Sequence, residues 1–451
     1  MGALMRRKGG IWVVTLLVVM LVVVGCGRQD RAPQAAPVVA GYGLQEPPVT
    51  IDFWYMPNGP SPDKVVRREV DRFHALHPNI TVRATKLDWP DALTRLTTAA
   101  ASGSGPDVSQ LGTTWVGSIS SLGGLRPFSD DELAWLGGRE AYLPASWTST
   151  RLLGRTEVTA VPWFVDIRAV FYRTDILRSL DIDPATAFTD WRSFAATLDR
   201  ISAGGKVAAL GQPGKADWNV VHNVAPFVWE AGGDFLSADG THATVATPAA
   251  LDGVDYYQKL VAKYNSRLVL RGTYTEARRA FVDGRVAVLT DAPESVATYR
   301  GTAKLGGRWA TAPMPTGPKG RFTFLGGSNL SLWKASQHPA AALEWIRFLT
   351  GEESQRRYVS GIGLWPARLS ATTKAPFGSD PAYRAFTAQI PNGRQYPAVA
   401  AWNGIEVALH KAFGTMWDRV LATGSPLTRR ELEALLNRAT TDVQQAIAET
   451  G

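Results

Sequence analysis

The fold class predicted is α/β, and three observations predict it. Val49-Thr50-Ile51-Asp52-Phe53-Trp54 alternates like a strand, Val66 to Leu76 carries helical spacing, and loop-forming residues separate such segments at short, regular intervals. In order, the first strand runs into the Met56 to Pro60 loop, and Pro78 ends the first helix. Ile80-Thr81-Val82-Arg83 is a second strand, Pro90 to Ala101 a second helix, and Asp107 to Leu111 a third strand after the Ser102 to Pro106 break. The alternation resumes with a strand at Ala169 to Tyr172, a helix at Asp190 to Ile201, a strand at Val286 to Thr290 and a helix at Pro339 to Leu349. Glu406 to Gly414 and Arg429 to Glu449 close the chain as helices. This βαβαβ pattern predicts a largely parallel, layered sheet with ligands at the carboxyl ends of its strands. About 400 residues exceed what one hydrophobic core organises, so two domains are expected, with no internal repeat.

The N-terminus sets the location. Arg6, Arg7 and Lys8 precede an apolar run from Ile11 to Val24 and a small residue, Gly25. That is the plan of a secretory signal peptide, and about 14 apolar residues are too few for a lasting span of the bilayer. Val23-Val24-Gly25-Cys26 matches the lipobox of bacterial lipoproteins, and Cys26 is the only cysteine, which disulfide chemistry cannot use. Residues 1–25 are therefore read as a cleaved leader, Cys26 as the lipidated N-terminus on the extracytoplasmic face of the membrane, and residues 26–48, with Pro33, Pro37, Pro47 and Pro48, as a tether. Extended, the tether reaches roughly 70 Å. The formal charge of +8 falls to +5 without Arg6, Arg7 and Lys8, and no run of five like charges occurs, so a nucleic-acid partner is not indicated.

Catalytic signatures are missing. The chain has no G-x-S-x-G, H-E-x-x-H, Walker loop or dinucleotide fingerprint, and Gly214-Lys215 is followed by Ala. One Cys and six scattered His, of which His74 and His77 read as a solvated surface pair, indicate neither zinc nor another metal, and no cofactor is implied. A glycosidase needs only two carboxylates about 5 to 10 Å apart, which spacing in sequence leaves open as the second reading.

Aromatic residues are plentiful, with 16 Trp, several in segments read as loops at strand ends: Trp54-Tyr55, Trp115, Trp163-Phe164, Trp365 and Trp402. Flat aromatic faces beside hydrogen-bonding side chains suit a pyranose, whose C–H faces are apolar and whose edge carries hydroxyls. Asp166, Asn219, Asn223, Asp291, Glu294, Asn329 and Arg368 lie in or beside those loops.

Taken in order, several short motifs are specific together: Ser104-Gly105-Pro106-Asp107-Val108; Val161-Pro162-Trp163 leading to Ala169-Val170-Phe171-Tyr172-Arg173-Thr174-Asp175; Trp229-Glu230-Ala231-Gly232-Gly233; Phe281 to Val288; and Gly361 to Ala367. On these residues the chain resembles the extracellular solute-binding proteins of family 1, the carbohydrate-type receptors of ABC importers, over about Val49 to Glu449. The resemblance implies a two-lobed periplasmic-binding-protein type II fold with interleaved lobes and a hinge. Residues 49–162 with 328–370 would form one lobe and 163–327 with 371–451 the other. Crossings would fall near Pro162 to Asp166, Gly326 to Asn329 and Arg368 to Phe377.

Carried over from the resemblance, the cleft would draw on Trp54, Tyr55 and Asn58 after the first strand, on Thr113, Thr114 and Trp115 after the third, and on Trp163, Asp166 and Arg168 at the first crossing. Asn219, Asn223, Asp291, Glu294, Ser328, Asn329, Trp365, Arg368, Trp402 and Asn403 complete the set. A hydroxyl at Thr114 and a carboxylate at Glu294 stand where the maltose receptor has a sugar-binding carboxylate and a stacking Trp, which favours a small disaccharide or amino sugar over a plain glucan. Arg168 and Arg368 leave a phosphorylated ligand, such as a glycerophosphodiester, as an alternative. The resemblance further implies a monomer that binds without turnover and hands its sugar to a membrane permease driven by a cytoplasmic ATPase. Replacing Cys26 by Ala is expected to release the protein into the medium or leave it uncleaved, as read by cell fractionation, with sugar binding intact and uptake impaired.

Overall fold

Alternation along β1 (Val49–Tyr55) turns Ile51, Phe53 and Tyr55 inward, all within 5 % of full burial. The helix Pro62–Leu76 returns the chain with Val65, Val66 and Phe73 on its buried face, and β2 (Ile80–Lys86) pairs in parallel with β1 from Val49↔Ile80 to Tyr55↔Lys86. A second crossover, the helix Trp89–Ala101, leads to β3 (Val108–Gly112), parallel to β1 on its other side. The computed structural model describes residues 43–450, all of them in the unit Val38–Gly451; the leader and Cys26 lie outside the described residues.

The remaining strands are β4 (Val161–Ile167), β5 (Ala169–Tyr172), β6 (Ala208–Leu210), β7 (Val286–Asp291), β8 (Ala310–Ala312), β9 (Thr323–Leu332), β10 (Trp365–Pro366) and β11 (Gly393–Arg394). They form a large sheet of order β10-β4-β9-β3-β1-β2, with β11 on β9, and a small sheet of order β6-β7-β5-β8. These sheets centre the two lobes. The expected largely parallel arrangement is corrected here: β3–β9, β4–β9, β10–β4, β5–β7 and β5–β8 are antiparallel. Two of these pairs arise from β9, which enters from the small-sheet side and runs back through the middle of the large sheet.

The chain changes sheet at a single residue, Arg168, between β4 and β5. Its backbone is fixed there: Arg168 N donates to Phe324 O at 3.3 Å, and Arg168 O accepts from Thr323 Oγ1 at 2.9 Å and from the Gln389 amide. Next to this neck β9 presses against β4. Gly327 has φ +126°, and a Cβ there would stand 2.2 Å from Phe164 O, so only glycine fits.

Three apolar clusters fill the layers. One lies between the large sheet and the helices Pro62–Leu76, Pro339–Thr350 and Glu352–Ile362; it continues onto Ala169 and Phe171 of β5. Another takes the opposite face of β5, Val170 and Tyr172, with the C-terminal helices Trp402–Thr423 and Arg429–Ala448. A small one gathers Met56, Leu96, Leu111 and Trp333. The helix Val220–Glu230 was not foreseen, because Pro226 sits inside it and every residue is buried, which removes amphipathic periodicity. Trp163, Trp365 and Trp402, expected in loops, stand in β4, in β10 and in the first turn of a helix.

Glu230 ends that buried helix and is itself fully buried. Trp191 Nε1 and Phe322 N donate to its carboxylate at 2.6 and 3.2 Å, and Lys319 N donates to its carbonyl at 2.8 Å, pinning residues 317–322 to the helix. Burial pushes this carboxyl from its ordinary 4.5 up to about 8. Because the folded pKa is the raised one, the contribution is fully present below pH 4.5 and is lost as the pH rises to about 8. The thermal midpoint is expected to fall between pH 5 and pH 8, and Glu230→Gln should make that decline shallower; equal slopes by circular dichroism would refute the assignment.

Candidate functional site

The carboxyl ends of β1 and β3, the end of β4 and the start of β9 share one edge of the large sheet. Thr113 N donates to Gly327 O at 3.0 Å, and Asp166 pairs with Gly326 across β4 and β9. On the small sheet, Ala169 of β5 pairs with Asp291 at the carboxyl end of β7. The single residue between Ile167 and Ala169 is Arg168, so both strand ends converge on it.

A connected polar cluster results. The Arg168 guanidinium is 5 % exposed; it lies 3.0 Å from Asp166 Oδ2, donates to Asn219 Oδ1 at 2.7 Å, and faces the Tyr274 ring with its carbon 5.6 Å from the ring centre. Asn219 is held by Asp217 Oδ1, which accepts from its backbone and side-chain amides at 2.9 and 2.7 Å. Asp217 Oδ2 accepts from Tyr274 N at 2.8 Å and so orients the helix Tyr274–Val282. The Tyr274 hydroxyl lies 2.8 Å from Asn223 Oδ1. One turn further on, Arg278 clamps Asp291 through Nε and Nη2 at 2.9 and 2.8 Å and pairs with Glu294. Asp291 also accepts from Ala292 N and Ser295 Oγ at 2.8 and 2.6 Å.

The carboxylates are tuned differently. Burial alone would push Asp291 up, yet Arg278 and Ser295 hold it below the ordinary range. Asp166 is pushed up by its burial, against the pull of Arg168 and with help from Glu294 and Asp291. The cluster sets two guanidiniums, Arg168 and Arg278, against four carboxyl groups, Asp166, Asp217, Asp291 and Glu294, so carboxyls are in excess. Three buried polar atoms of this cluster have no hydrogen-bond partner among the described residues: Asp166 Oδ1, Arg168 Nε and Asn223 Nδ2. Buried polar groups are nearly always paired, which makes this cluster the candidate site for a polar ligand.

Aromatic side chains lie on neighbouring segments. Trp89, 37 % exposed, meets Trp115 edge-on at 5.3 Å, and Trp54 is covered by Arg95 at 4.7 Å and by Trp333. Next to Asn219, Trp218 is 65 % exposed and edge-on to His222, which stacks on Phe324 at 4.0 Å, lies 2.9 Å from the Tyr396 hydroxyl and 3.8 Å from Glu406.

Of the expected set, the structure brings Asp166, Arg168, Asn219, Asn223, Asp291 and Glu294 into one cluster, with Thr113 beside it on Gly327 and Thr114 and Trp115 following Thr113 in the chain; Trp54 packs on Trp333, and Asn403 follows the buried Trp402. Others are spent within the protein. Trp163 stacks on Tyr358 at 4.2 Å, Trp365 packs on Phe377 at 4.9 Å and Trp402 stacks on Tyr396 at 4.2 Å, each fully buried. The Tyr55 hydroxyl donates to Asp63, Asn58 Nδ2 to Met56 O, and Ser328 Oγ accepts from Gln110. Asn329 Nδ2 donates to Ser149 Oγ, and Arg368 Nη1 serves the carbonyls of Leu136 and Thr350. Asp217, Tyr274, Arg278, His222 and Glu406 were missed. Only Tyr274 and Arg278 carried a legible signal, their one-turn spacing on one helix.

Two lobes joined by a narrow neck, with a polar cluster between strand ends and aromatic side chains on neighbouring segments, define a hinged receptor for a small solute. Residues 57–356 match the model of bacterial extracellular solute-binding proteins, and the chain belongs to that family. It is similar to the diacetylchitobiose binding protein DasA of Streptomyces coelicolor, 24 % identical over 86 % of this chain and 88 % of that one. Its fold matches the sugar-binding protein MalE from the phytopathogen Xanthomonas citri, with TM-score 0.76, 24 % identity and coverage of 89 % and 98 %. The GacH receptor of Streptomyces glaucescens, solved with acarbose, gives TM-score 0.71 at 20 % identity, covering 90 % and 99 %.

Arg278→Leu leaves the buried Asp291 charge uncompensated and is expected to cost about 3 kcal/mol at pH 7 by urea denaturation. The loss should shrink toward pH 4, because without Arg278 the Asp291 carboxyl takes up a proton in the folded state. A loss independent of pH would place the destabilisation elsewhere.

Proposed function

We propose that this protein is the substrate-binding component of an ABC importer that captures a carbohydrate between its lobes. The observation that carries the reading is the set of unpaired, buried donors and acceptors on Asp166, Arg168 and Asn223, with the exposed Trp218 next to Asn219 of the same cluster. A sugar satisfies both: hydroxyls pair with the polar atoms and the C–H face lies against an indole. The surplus of carboxyl groups favours a ligand rich in donors, a small disaccharide or an amino sugar. Arg168 and Arg278 are already paired with carboxylates and Arg368 serves carbonyls, which speaks against a phosphodiester in this cleft. Asp291 and Glu294 are likewise bound to Arg278, which supports binding without hydrolysis.

In this reading residues 49–162 with 328–370 move against the remainder about the neck at Arg168 and β9. Closure buries most of the sugar, and the closed form is delivered to a permease powered by an ATPase. Cys26 keeps the receptor at the membrane, where a tether of about 20 residues raises its effective concentration at the permease. Affinity in the micromolar range, about −8 kcal/mol, is expected.

Calorimetry against a panel of disaccharides and amino sugars tests this. Asp166→Asn and Trp115→Ala should each weaken the binding ligand about tenfold, the loss of one charge-assisted bond or one stacking face. Scattering should show the radius of gyration shrinking on ligand addition. Saturable binding to long neutral glucans alone, or turnover of the sugar, would overturn the reading.

A further inference from the structure

On the large-sheet lobe, two helices already described, Pro62–Leu76 and Glu352–Ile362, lie side by side and enclose a concavity of about 370 Å³. Its wall is unusual in composition: Arg68, Arg72, Arg356, Arg357, Ser360 and Gly361, with no carboxylate among the lining residues. Arg68 and Arg72 are one turn apart on the first helix; Arg356 and Ser360 are one turn apart on the second. Their side chains therefore face one another across the groove.

The spacing of the two helices is fixed from beneath. Glu69 is fully buried and accepts from Ser354 Oγ at 2.8 Å and from Arg357 Nη2 at 3.2 Å, and Arg357 also pairs with Glu353. Arg357 is thereby neutralised. Arg68 and Arg72 are exposed and Arg356 is half-buried, and none of the three forms an ion pair or a side-chain hydrogen bond among the described residues. Like charges lining one groove repel one another, a cost that an anion in the groove would relieve. Gly361 shapes the wall: a Cβ there would come within 3.0 Å of Arg68 Nη2, so the glycine leaves room for the guanidinium to lie along the groove. No residue of this wall belongs to the interlobe cluster. The Asn79 side chain, just beyond the first helix, holds the carbonyls of Gly43 and Glu46.

We infer that this groove is a binding site for a phosphate-bearing anion, separate from the sugar cleft. Planar guanidiniums match phosphate oxygens two at a time, and the Ser360 hydroxyl supplies a further donor at the rim. The volume admits a phosphate monoester or the headgroup of an anionic phospholipid. The inference does not depend on the identity of the sugar.

The test uses the full chain, titrated by calorimetry at fixed ionic strength with inorganic phosphate and, in parallel, with dihexanoyl-phosphatidylglycerol below its micelle concentration. Saturable binding of at least one probe is expected, with the dissociation constant raised at least tenfold in Arg72→Ala and in Arg356→Ala, whose thermal midpoints stay at the parent value. Binding of the phospholipid alone assigns the site to a lipid headgroup; binding of both assigns it to phosphate esters in general. Arg72→Lys, which keeps the charge and loses the fork, should retain part of the affinity, separating a phosphate site from a diffuse positive surface. No saturable binding of either probe, or binding unchanged in both alanine variants, overturns the inference.

Discussion

Everything functional in this protein hangs on the burial of one permanent charge in its neck. Arg168 is the residue at which the chain leaves the large sheet for the small one, and its backbone is tied to β9 and to Gln389. A guanidinium does not shed its proton, so burying it demands partners: Asp166 on one side, Asn219 on the other, and the Tyr274 face below. Each partner needs its own support. Asp217 holds Asn219 and the start of the Tyr274 helix, and that helix brings Arg278 to Asp291. The site is a chain of obligations that begins with one arginine.

This arrangement divides labour between rigid and responsive groups. Asp291, held by two guanidinium nitrogens, a backbone amide and a serine hydroxyl, is a fixed anchor whose charge is offset. Asp166 has one partner and one unpaired oxygen, and its carboxyl is pushed up by burial. A group in that state gains most from an added donor. Because Arg168 also joins the sheets, Asp166 and Arg168 belong at once to the candidate site and to the link between the sheets.

The aromatic residues show what tertiary packing changes. Spacing and composition made Trp163, Trp365 and Trp402 look equivalent to Trp54 and Trp115, since all stand near strand ends or turns. In the folded chain the first three have both faces covered, by Tyr358, Phe377 and Tyr396 among others, whereas Trp89, Trp115 and Trp218 keep accessible surface. An indole is a large apolar body with one polar atom, and the core competes for it as strongly as a ligand does. Nothing local in the sequence decides that competition.

Taken by itself, the sequence determined the α/β class and the βαβαβ start with its strands at Val49, Ile80 and Val108, because apolar periodicity and turn residues are local properties. It also picked out Asp166 and Arg168 at one strand end, Asn219 at the start of a buried helix, and Asp291 and Glu294 at and just after another strand end. Only the tertiary structure decided that β9 runs antiparallel through the large sheet, that Arg168 is the point of crossing, and that Asp217, Tyr274 and Arg278 complete the cluster. Those facts depend on which distant segments meet. Meeting is governed by pairing between strands more than 150 residues apart and by the need to neutralise buried charge, neither of which leaves a mark in the neighbouring residues.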